Sequence, residues 1–187
     1  IKYIDSIKSW SAPFVMSIAN TRVVRRSVEL HELNQSGYGS DFTYKEFMNV
    51  KKYSSALMVS IGLAILGLMI VSPISSLFRK LFTKPGNGPD KKTRDNGWFE
   101  SIFIGKNTNN EFYKLRIYGD GDPGYKTTAK FICESALCLV KSDGYLENTN
   151  KGGVLTTATG LGDHLIKRLK NADILFEGPE KIAKTIT

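Results

Sequence analysis

FYKLRIYGDGDPGYKTTAKFICESALCLV, residues Phe112–Val140, is the stretch that decides the fold, and it predicts a strand, a glycine-rich turn and a helix. Tyr113, Leu115 and Ile117 alternate with charged residues, which is typical of an antiparallel strand with one wet face. The residues from Phe131 to Val140 are nearly all apolar and predict a buried helix. We therefore expect the chain to be organised around this strand–turn–helix unit.

The glycines within residues 119–124 spell GxGxxG, the pattern of a dinucleotide-binding turn. Such a turn holds a pyrophosphate with backbone N–H groups at a helix N-terminus. Here Asp120 and Asp122 would repel phosphates, and Pro123 lacks an N–H donor. The sequence therefore favours a tight strand-to-helix turn over a phosphate site.

The composition is that of a chain able to build a core, because 41% of its 187 residues are hydrophobic and 24% are charged. The net charge is +8, but the basic residues bunch around one apolar segment and form no arginine and aromatic surface for nucleic acid. The chain opens on Ile1 without a signal peptide. We expect an intracellular fragment or processed piece with no nucleic-acid partner.

Metal chemistry is not indicated by the cysteines or histidines. Cys133 and Cys138 point in different directions on the predicted helix, which favours two small buried apolar residues. His31 and His164 are far apart in sequence, with no Cys or His nearby. The sequence therefore predicts no metal site.

A first helix is predicted to begin at Asn20 or Thr21, one of which could cap it, and to run through Leu33. Three arginines lie in its first turns: Arg22, Arg25 and Arg26. Two interpretations stay open for them: a grip for an anion or carboxylate, and a solvated helix face.

A second helix is predicted from Tyr44 onward. Thr43 and Glu46 have the spacing of a capping box, and Phe42 with Phe47 could form a hydrophobic staple over it.

Residues Tyr53–Phe78 contain no charge and are flanked by Lys51 and Lys52 and by the basic stretch Arg79–Arg94. Three alternatives stay open: attachment to a membrane or lipid-droplet surface, a bilayer span, and a helix buried in protein. The residues predicted to contact lipid are Leu57, Met58, Ile61, Leu63, Ile65, Leu66, Leu68, Met69 and Ile70.

The second half predicts the order strand, strand, helix, loop, helix, strand. The strands are expected over Trp98–Gly105, Phe112–Gly119 and Asp173–Glu177. Adjacent strands with segregated helices indicate an α+β fold, with an antiparallel or mixed sheet, helices packed on one face and an added apolar helical segment. The predicted domains are a helical N-terminal part (1–52), an apolar segment (53–80), a basic linker (81–97), an α+β part (98–178) and a tail (179–187).

Three stretches carry a family resemblance: PFVMSIANTRVVRRS (Pro13–Ser27), GDGDPGYKTTAKFICESALCLV (Gly119–Val140) and GGVLTTATGLGDHLIKRLKNADILFE (Gly152–Glu177). In order and spacing they resemble the C-terminal part of saccharopine dehydrogenase-like oxidoreductases. The resemblance is to their eukaryotic lipid-droplet-associated branch, which is related to bacterial trans-acting enoyl reductases. It covers most of Pro13–Glu177.

This resemblance implies an NAD- or NADP-dependent oxidoreductase whose N-terminal Rossmann domain is absent from this chain. The part present would close over the nicotinamide cleft, and no catalytic acid or base is implied. Thr157 stands where similar sequences usually have proline. The positions implied for a substrate or cofactor cleft are Asn20, Thr21, Arg22, Arg25, Arg26, Asp122, Pro123, Gly124, Tyr125, Gly152, Gly153 and Thr156.

Two functions follow as hypotheses. The first is the C-terminal part of such an oxidoreductase, attached to membranes or lipid droplets, with an unknown substrate for which a lipid-like molecule is one candidate. The second is a noncatalytic lipid-surface binding protein that retains the fold. The expected partners are the nucleotide-binding half of the same protein and a membrane or lipid-droplet surface, with a homodimer left open.

Overall fold

The computed structural model describes residues 1–33, 37–39, 41–72, 86, 88–141 and 153–183. The chain divides into two compact units, each described by itself below. The first consists of Ile1–Asn20, Lys45–Pro89 and Ile182–Thr187, and the second of Thr21–Tyr44 and Asp90–Lys181.

The first unit is built on a small antiparallel sheet. Its strands are β1 (Tyr3–Ile4), β2 (Ser9–Pro13) and β3 (Phe47–Val50), with β2 in the middle and a short 3-10 turn over Asp5–Ile7. Trp10 pairs with Tyr3 on one side and Val50 on the other. Its indole also packs edge-on against the rings of Tyr3 and Tyr53, with centroids 5.2 Å and 5.0 Å away.

Helix α2 (Tyr53–Val71) packs on this sheet through a narrow seam. Ala56 is fully buried, and Leu63, Leu66 and Met69 are half-buried at helical spacing after it. The helix is long and apolar enough to cross a membrane by length and composition alone. Within the described residues most of its surface is exposed, so this part of the chain does not bury it.

Two predictions for the N-terminal part are wrong. The helix expected from Tyr44 is replaced by strand β3, because Phe47–Val50 pairs with β2 and backbone pairing overrides the local capping signal. Residues 1–52 therefore contain three strands as well as a helix, and do not form the helical part that the sequence predicts. Helix α1 (Ser17–Leu33) begins before Asn20, with the Ser17 N–H donating to the Phe14 carbonyl.

The second unit contains the predicted hairpin. Strands β4 (Trp98–Lys106) and β5 (Phe112–Asp120) pair antiparallel, with Phe99 opposite Gly119. β6 (Leu175–Ile182) lies beside β5 and runs beyond the predicted Asp173–Glu177. The α+β fold with antiparallel sheets is confirmed.

The helices of this unit are α3 (Lys91–Asn96), α4 (Lys126–Lys141), α5 (Thr157–Gly160) and α6 (Gly162–Asn171). α3 lies within the expected linker and begins where the Asp90 side chain accepts the Thr93 N–H. On one face of the sheet, Phe99 packs edge-on against Phe131 of α4 with ring centroids 5.7 Å apart. Cys138 packs with Leu161 and Leu165.

The prediction that Phe131–Val140 is buried is wrong. Ile132 is 67% exposed and Val140 is 80% exposed, and Cys133 also lies at the surface. Only one side of α4 packs on α6, where Arg168 and Glu134 form an ion pair at 2.7 Å. The apolar composition of α4 therefore predicts more burial of this helix than the described residues provide.

Gly119 is required by close packing rather than by backbone conformation. A Cβ added there would lie 2.5 Å from Phe99 Cε1 and 2.9 Å from Ile174 Cδ1. We expect Gly119→Ala to lower the free energy of unfolding in urea by about 1–3 kcal/mol. Gly105→Ala is the matched control, because nothing lies within 4 Å of its added Cβ. Equal stability of the two variants would contradict this account.

Candidate functional site

The first unit contains a cavity of about 510 Å³ where α2, the end of β2 and the start of α1 meet. Its walls are mainly apolar side chains, and Gly67 contributes open space rather than a side chain. The lining residues are Ile1, Ser11, Ala12, Pro13, Phe14, Val15, Ser17, Ile18, Glu46, Phe47, Leu63, Leu66, Gly67 and Ile70. The size and character suit an apolar small molecule or chain.

Helix α2 presents two different surfaces. Leu63, Leu66 and Ile70 line the cavity at i, i+3 and i+7 spacing. Met58 and Leu68, each 73% exposed, lie outside it. The predicted set of lipid-contacting residues therefore divides into a cavity wall and an outer face.

Among the described residues that line the cavity, Glu46 is the acidic one. The Asn20 side-chain Nδ2 donates to Glu46 Oε1 at 2.9 Å. Glu46 Oε2 is buried and accepts no hydrogen bond from the residues that the structure describes. Asn20 is a predicted site residue, and this hydrogen bond brings it into contact with the cavity lining. Glu46 was expected to cap a helix, and its role at the cavity depends on the strand that replaced that helix.

The three predicted arginines of α1 are exposed: Arg22, Arg25 and Arg26. Arg26 forms a surface ion pair with Glu29 at 3.5 Å, and Thr21 is half-buried. Because these guanidinium groups are exposed, they could contact either an anion or water, so their exposure is compatible with both interpretations. Their assignment to a cleft stays a prediction.

Three backbone N–H groups of the turn at residues 121–125 already donate hydrogen bonds to acceptors within the protein. The Gly121 N–H donates to the Gly97 carbonyl at 2.7 Å, and the Asp122 N–H donates to the Arg94 carbonyl at 2.9 Å. The Tyr125 N–H donates to Asp122 Oδ2 at 2.8 Å, so this carboxylate closes the turn before α4. Gly121 has φ of +103°, a conformation that favours glycine. These donors are therefore occupied rather than directed at a phosphate.

The remaining predicted residues of the turn are exposed: Pro123, Gly124 and Tyr125. Lys126 follows them, and its ammonium group lies 2.9 Å from Asp95 Oδ1. Hydrogen bonds from Lys91 and Lys126 lower the pKa of Asp95 to about 2. Because the folded-state pKa is lowered, this contact is complete at neutral pH and is lost as the pH falls through about 2.

Thr156 is held against α1 by a residue that sequence reasoning missed. Its Oγ1 lies 2.8 Å from the Oγ of Ser27, which is the buried residue of α1. Thr156 also caps α5 in a reciprocal pair with Thr159. Ser27 stands at the end of the motif Pro13–Ser27, but only the fold reveals its partner.

Thr157 begins α5, the helix position at which proline is favoured, so the threonine there is compatible with the same cap. Gly153 is exposed with φ of +125°, and Gly152 lies outside the described residues. Among the residues that the structure describes, no three His, Cys, Asp or Glu side chains cluster to hold a metal.

We expect a double-mutant cycle on Ser27 and Thr156 to reveal their coupling. Thr156→Val should lower the free energy of unfolding by about 1–2 kcal/mol through loss of the helix cap. Ser27→Ala should cost about 1 kcal/mol, and the double variant should cost less than the sum. Thr157→Val, at the exposed neighbouring position, is the control and should stay within about 0.5 kcal/mol of wild type. Additive costs for Ser27 and Thr156 would contradict a direct bond.

Comparison with known proteins identifies mycobacterial relatives. A Mycobacterium tuberculosis protein named "Putative trans-acting enoyl reductase" is 35% identical over 176 residues, which cover 90% of this chain and 41% of the relative. Proteins named trans-acting enoyl reductase from Mycobacterium bovis and Mycobacterium ulcerans are 31% and 30% identical, over 89% of this chain and 40% of each relative.

The chain is related to bacterial trans-acting enoyl reductases. It spans about two fifths of the length of these relatives. No family model matches the chain, and no solved structure matches it significantly. The resemblance to saccharopine dehydrogenase-like proteins therefore stays a prediction.

Proposed function

We propose that this chain forms the substrate-binding part of an NAD(P)-dependent oxidoreductase that reduces an enoyl group on an apolar acyl chain. The observation that carries the proposal is the similarity to trans-acting enoyl reductases over 90% of the chain. In this proposal the cofactor binds to a Rossmann domain N-terminal to this chain. The whole protein would belong to the saccharopine dehydrogenase-like family. Reduction of an enoyl group adds a hydride at one alkene carbon and a proton at the other, and a bound reduced nicotinamide would supply the hydride.

The cavity of the first unit supports an acyl substrate. Its volume of about 510 Å³ lies in the range typical of ligand pockets, and Leu63, Leu66 and Ile70 give it an apolar wall. Each methylene buried against such a wall contributes about 0.8 kcal/mol. An apolar chain seated there would leave its reactive end to be presented to the nicotinamide.

The exposed side chains predicted for the cleft have roles in this proposal that suit their charge. Arg22, Arg25 and Arg26 would contact phosphates of the cofactor or a carboxyl group of the substrate. Tyr125, on the turn before α4, would contribute an exposed ring at the same cleft.

Filling the cavity from Gly67 tests the acyl site. A Cβ added at Gly67 meets nothing within 4 Å, so Gly67→Leu places a side chain in the cavity without a backbone clash. In the full-length protein we expect the KM for a long-chain enoyl thioester to rise about tenfold as about two methylenes lose their contacts, with a short-chain thioester unaffected. The measurement is NAD(P)H oxidation with both substrates.

Gly62→Leu is the matched control, because Gly62 lies on the same helix, has equally open space and does not line the cavity. Equal effects from the two glycine variants would exclude the cavity as the acyl site. Absence of NAD(P)H binding by the wild-type protein in calorimetry would exclude the oxidoreductase itself.

A second candidate function, attachment to a membrane or lipid-droplet surface, is favoured by the outer face of α2. Met58, Ile65 and Leu68 are exposed there, and such an apolar surface on a soluble protein usually marks a binding surface. Lys51 and Lys52 precede the helix and would attract anionic headgroups. This function is compatible with the first and would give an intracellular protein bound to lipid; without cofactor binding it would stand alone as a noncatalytic role.

We expect Met58→Asp and Leu68→Asp together to abolish flotation of the full-length protein with neutral phospholipid vesicles. Each carboxylate would cost about 2 kcal/mol or more in an apolar lipid environment. Asn49→Asp, at an exposed position of β3, should float like wild type. Retained flotation of the double variant would show that lipid is bound through another surface.

A further inference from the structure

The exposed side of α4 has the polarity of a buried surface. Seven exposed residues lie within about 140° of arc on this side, and none of them is charged. Ile132, Leu139 and Val140 are 67%, 62% and 80% exposed. We name this surface the outer α4 face; its residues are Thr128, Ala129, Ile132, Cys133, Ala136, Leu139 and Val140.

The charged residues in the middle of α4 are turned away from this face. Lys130 donates through Nζ to the Ala172 carbonyl, and Glu134 forms its ion pair with Arg168 of α6. A helix that faced water would carry charged residues on its outer side. The distribution indicates that another surface covers the outer α4 face in the complete protein, and no residue that the structure describes covers it.

The size of the outer α4 face decides between the protein surfaces that could cover it. From Thr128 to Val140 the helix rises about 18 Å and is about 10 Å wide, so the face offers roughly 200–400 Å². A stable complex between separate molecules buries about 800 Å² on each partner. Domains of one chain form interfaces of about 600–1,500 Å² in total, because the chain already holds them together. The face therefore suits a domain of the same polypeptide better than a second copy.

The mycobacterial relatives are long enough to supply such a domain. About three fifths of each relative lies outside the part that this chain matches. We propose that the outer α4 face is the docking surface for that remaining part of the full-length protein, which would present an apolar, uncharged surface to Ile132 and Leu139. The inference concerns how the protein is assembled and does not depend on the reduction of an enoyl group.

Cysteine labelling of the full-length protein with a maleimide tests this inference. The thiol of Cys133 reports on the outer α4 face, the buried Cys138 reports on the packing of α4 against Leu161, and Lys141→Cys adds a thiol at an exposed position of the same helix. Each labelling rate is measured by mass spectrometry and divided by the rate of the same thiol in urea.

We expect Cys133 to be labelled at least about tenfold more slowly than the thiol of Lys141→Cys, because a covered thiol reacts only when the interface opens. A cysteine introduced by Ala136→Cys, at the centre of the face, should be protected to the same degree. Labelling requires no cofactor, so absence of NAD(P)H binding would leave these results unaffected.

A charge on the outer α4 face should open the interface. In Ile132→Asp we expect the labelling rate of Cys133 to rise to within about threefold of the rate for Lys141→Cys. Cys138 should stay protected, which shows that α4 remains packed on α6. Thr157→Asp, which adds the same charge at the exposed start of α5, is the matched control and should leave Cys133 protected.

Two results would show that the outer α4 face is not an interface. One is labelling of Cys133 in the wild-type protein at the rate for Lys141→Cys, which requires no substitution on the face. The other is protection of Cys133 that survives Ile132→Asp, or that is lost there only together with the protection of Cys138.

Three further results would overturn the inference by assigning the face to a different cover. Protection that is lost on dilution as a dimer dissociates would assign it to a second copy, and protection that appears only with phospholipid vesicles would assign it to lipid. Protection that is lost when Leu77 and Phe78 are both changed to Ser would assign it to a stretch of this chain outside the described residues.

Discussion

The antiparallel pairing of β2 with β3 is the constraint on which the first unit depends. It joins segments far apart in sequence, so loop closure opposes it, and backbone hydrogen bonds and burial of Ala12 favour it. The register sets Phe47 opposite Pro13 and so delivers Glu46 to Asn20 at the start of α1. One strand pairing therefore determines both the shape of the sheet and the polar group in the cavity wall.

Helix α2 is an uncharged segment whose two faces form different surfaces. Ala56 is small enough to let the helix approach the sheet closely, whereas farther along Gly67 adds no side chain and open space remains. The cavity is therefore a consequence of where small residues lie along the seam. The opposite face keeps its large apolar side chains in the open, where burying them against lipid or protein would be favourable.

The sequence predicted best where the signals are local. The strand Phe112–Asp120 and the aspartate-containing turn after it depend on neighbouring residues, and both form as expected. The expected wet face of that strand is wrong, because Lys114 and Arg116 are half-buried like their apolar neighbours. Phe47–Val50 was missed because a distant strand, not its own capping signal, decides its conformation. The Ser27–Thr156 contact and the exposure of α4 likewise depend on tertiary partners, which composition does not encode. Among the residues predicted for the cleft, Asn20 contacts a residue of the cavity lining, Glu46, which the sequence assigns to a helix cap.

Asp122 and Glu46 illustrate how to separate a structural carboxylate from a functional one. Asp122 is explained by the fold alone, because its side-chain oxygen receives the Tyr125 N–H and closes a turn. Glu46 is not, because β3 begins one residue later and the pairing requires no acidic side chain there. Its bond to Asn20 satisfies one oxygen and leaves the other buried, without a hydrogen bond from the residues that the structure describes, at a cost in desolvation.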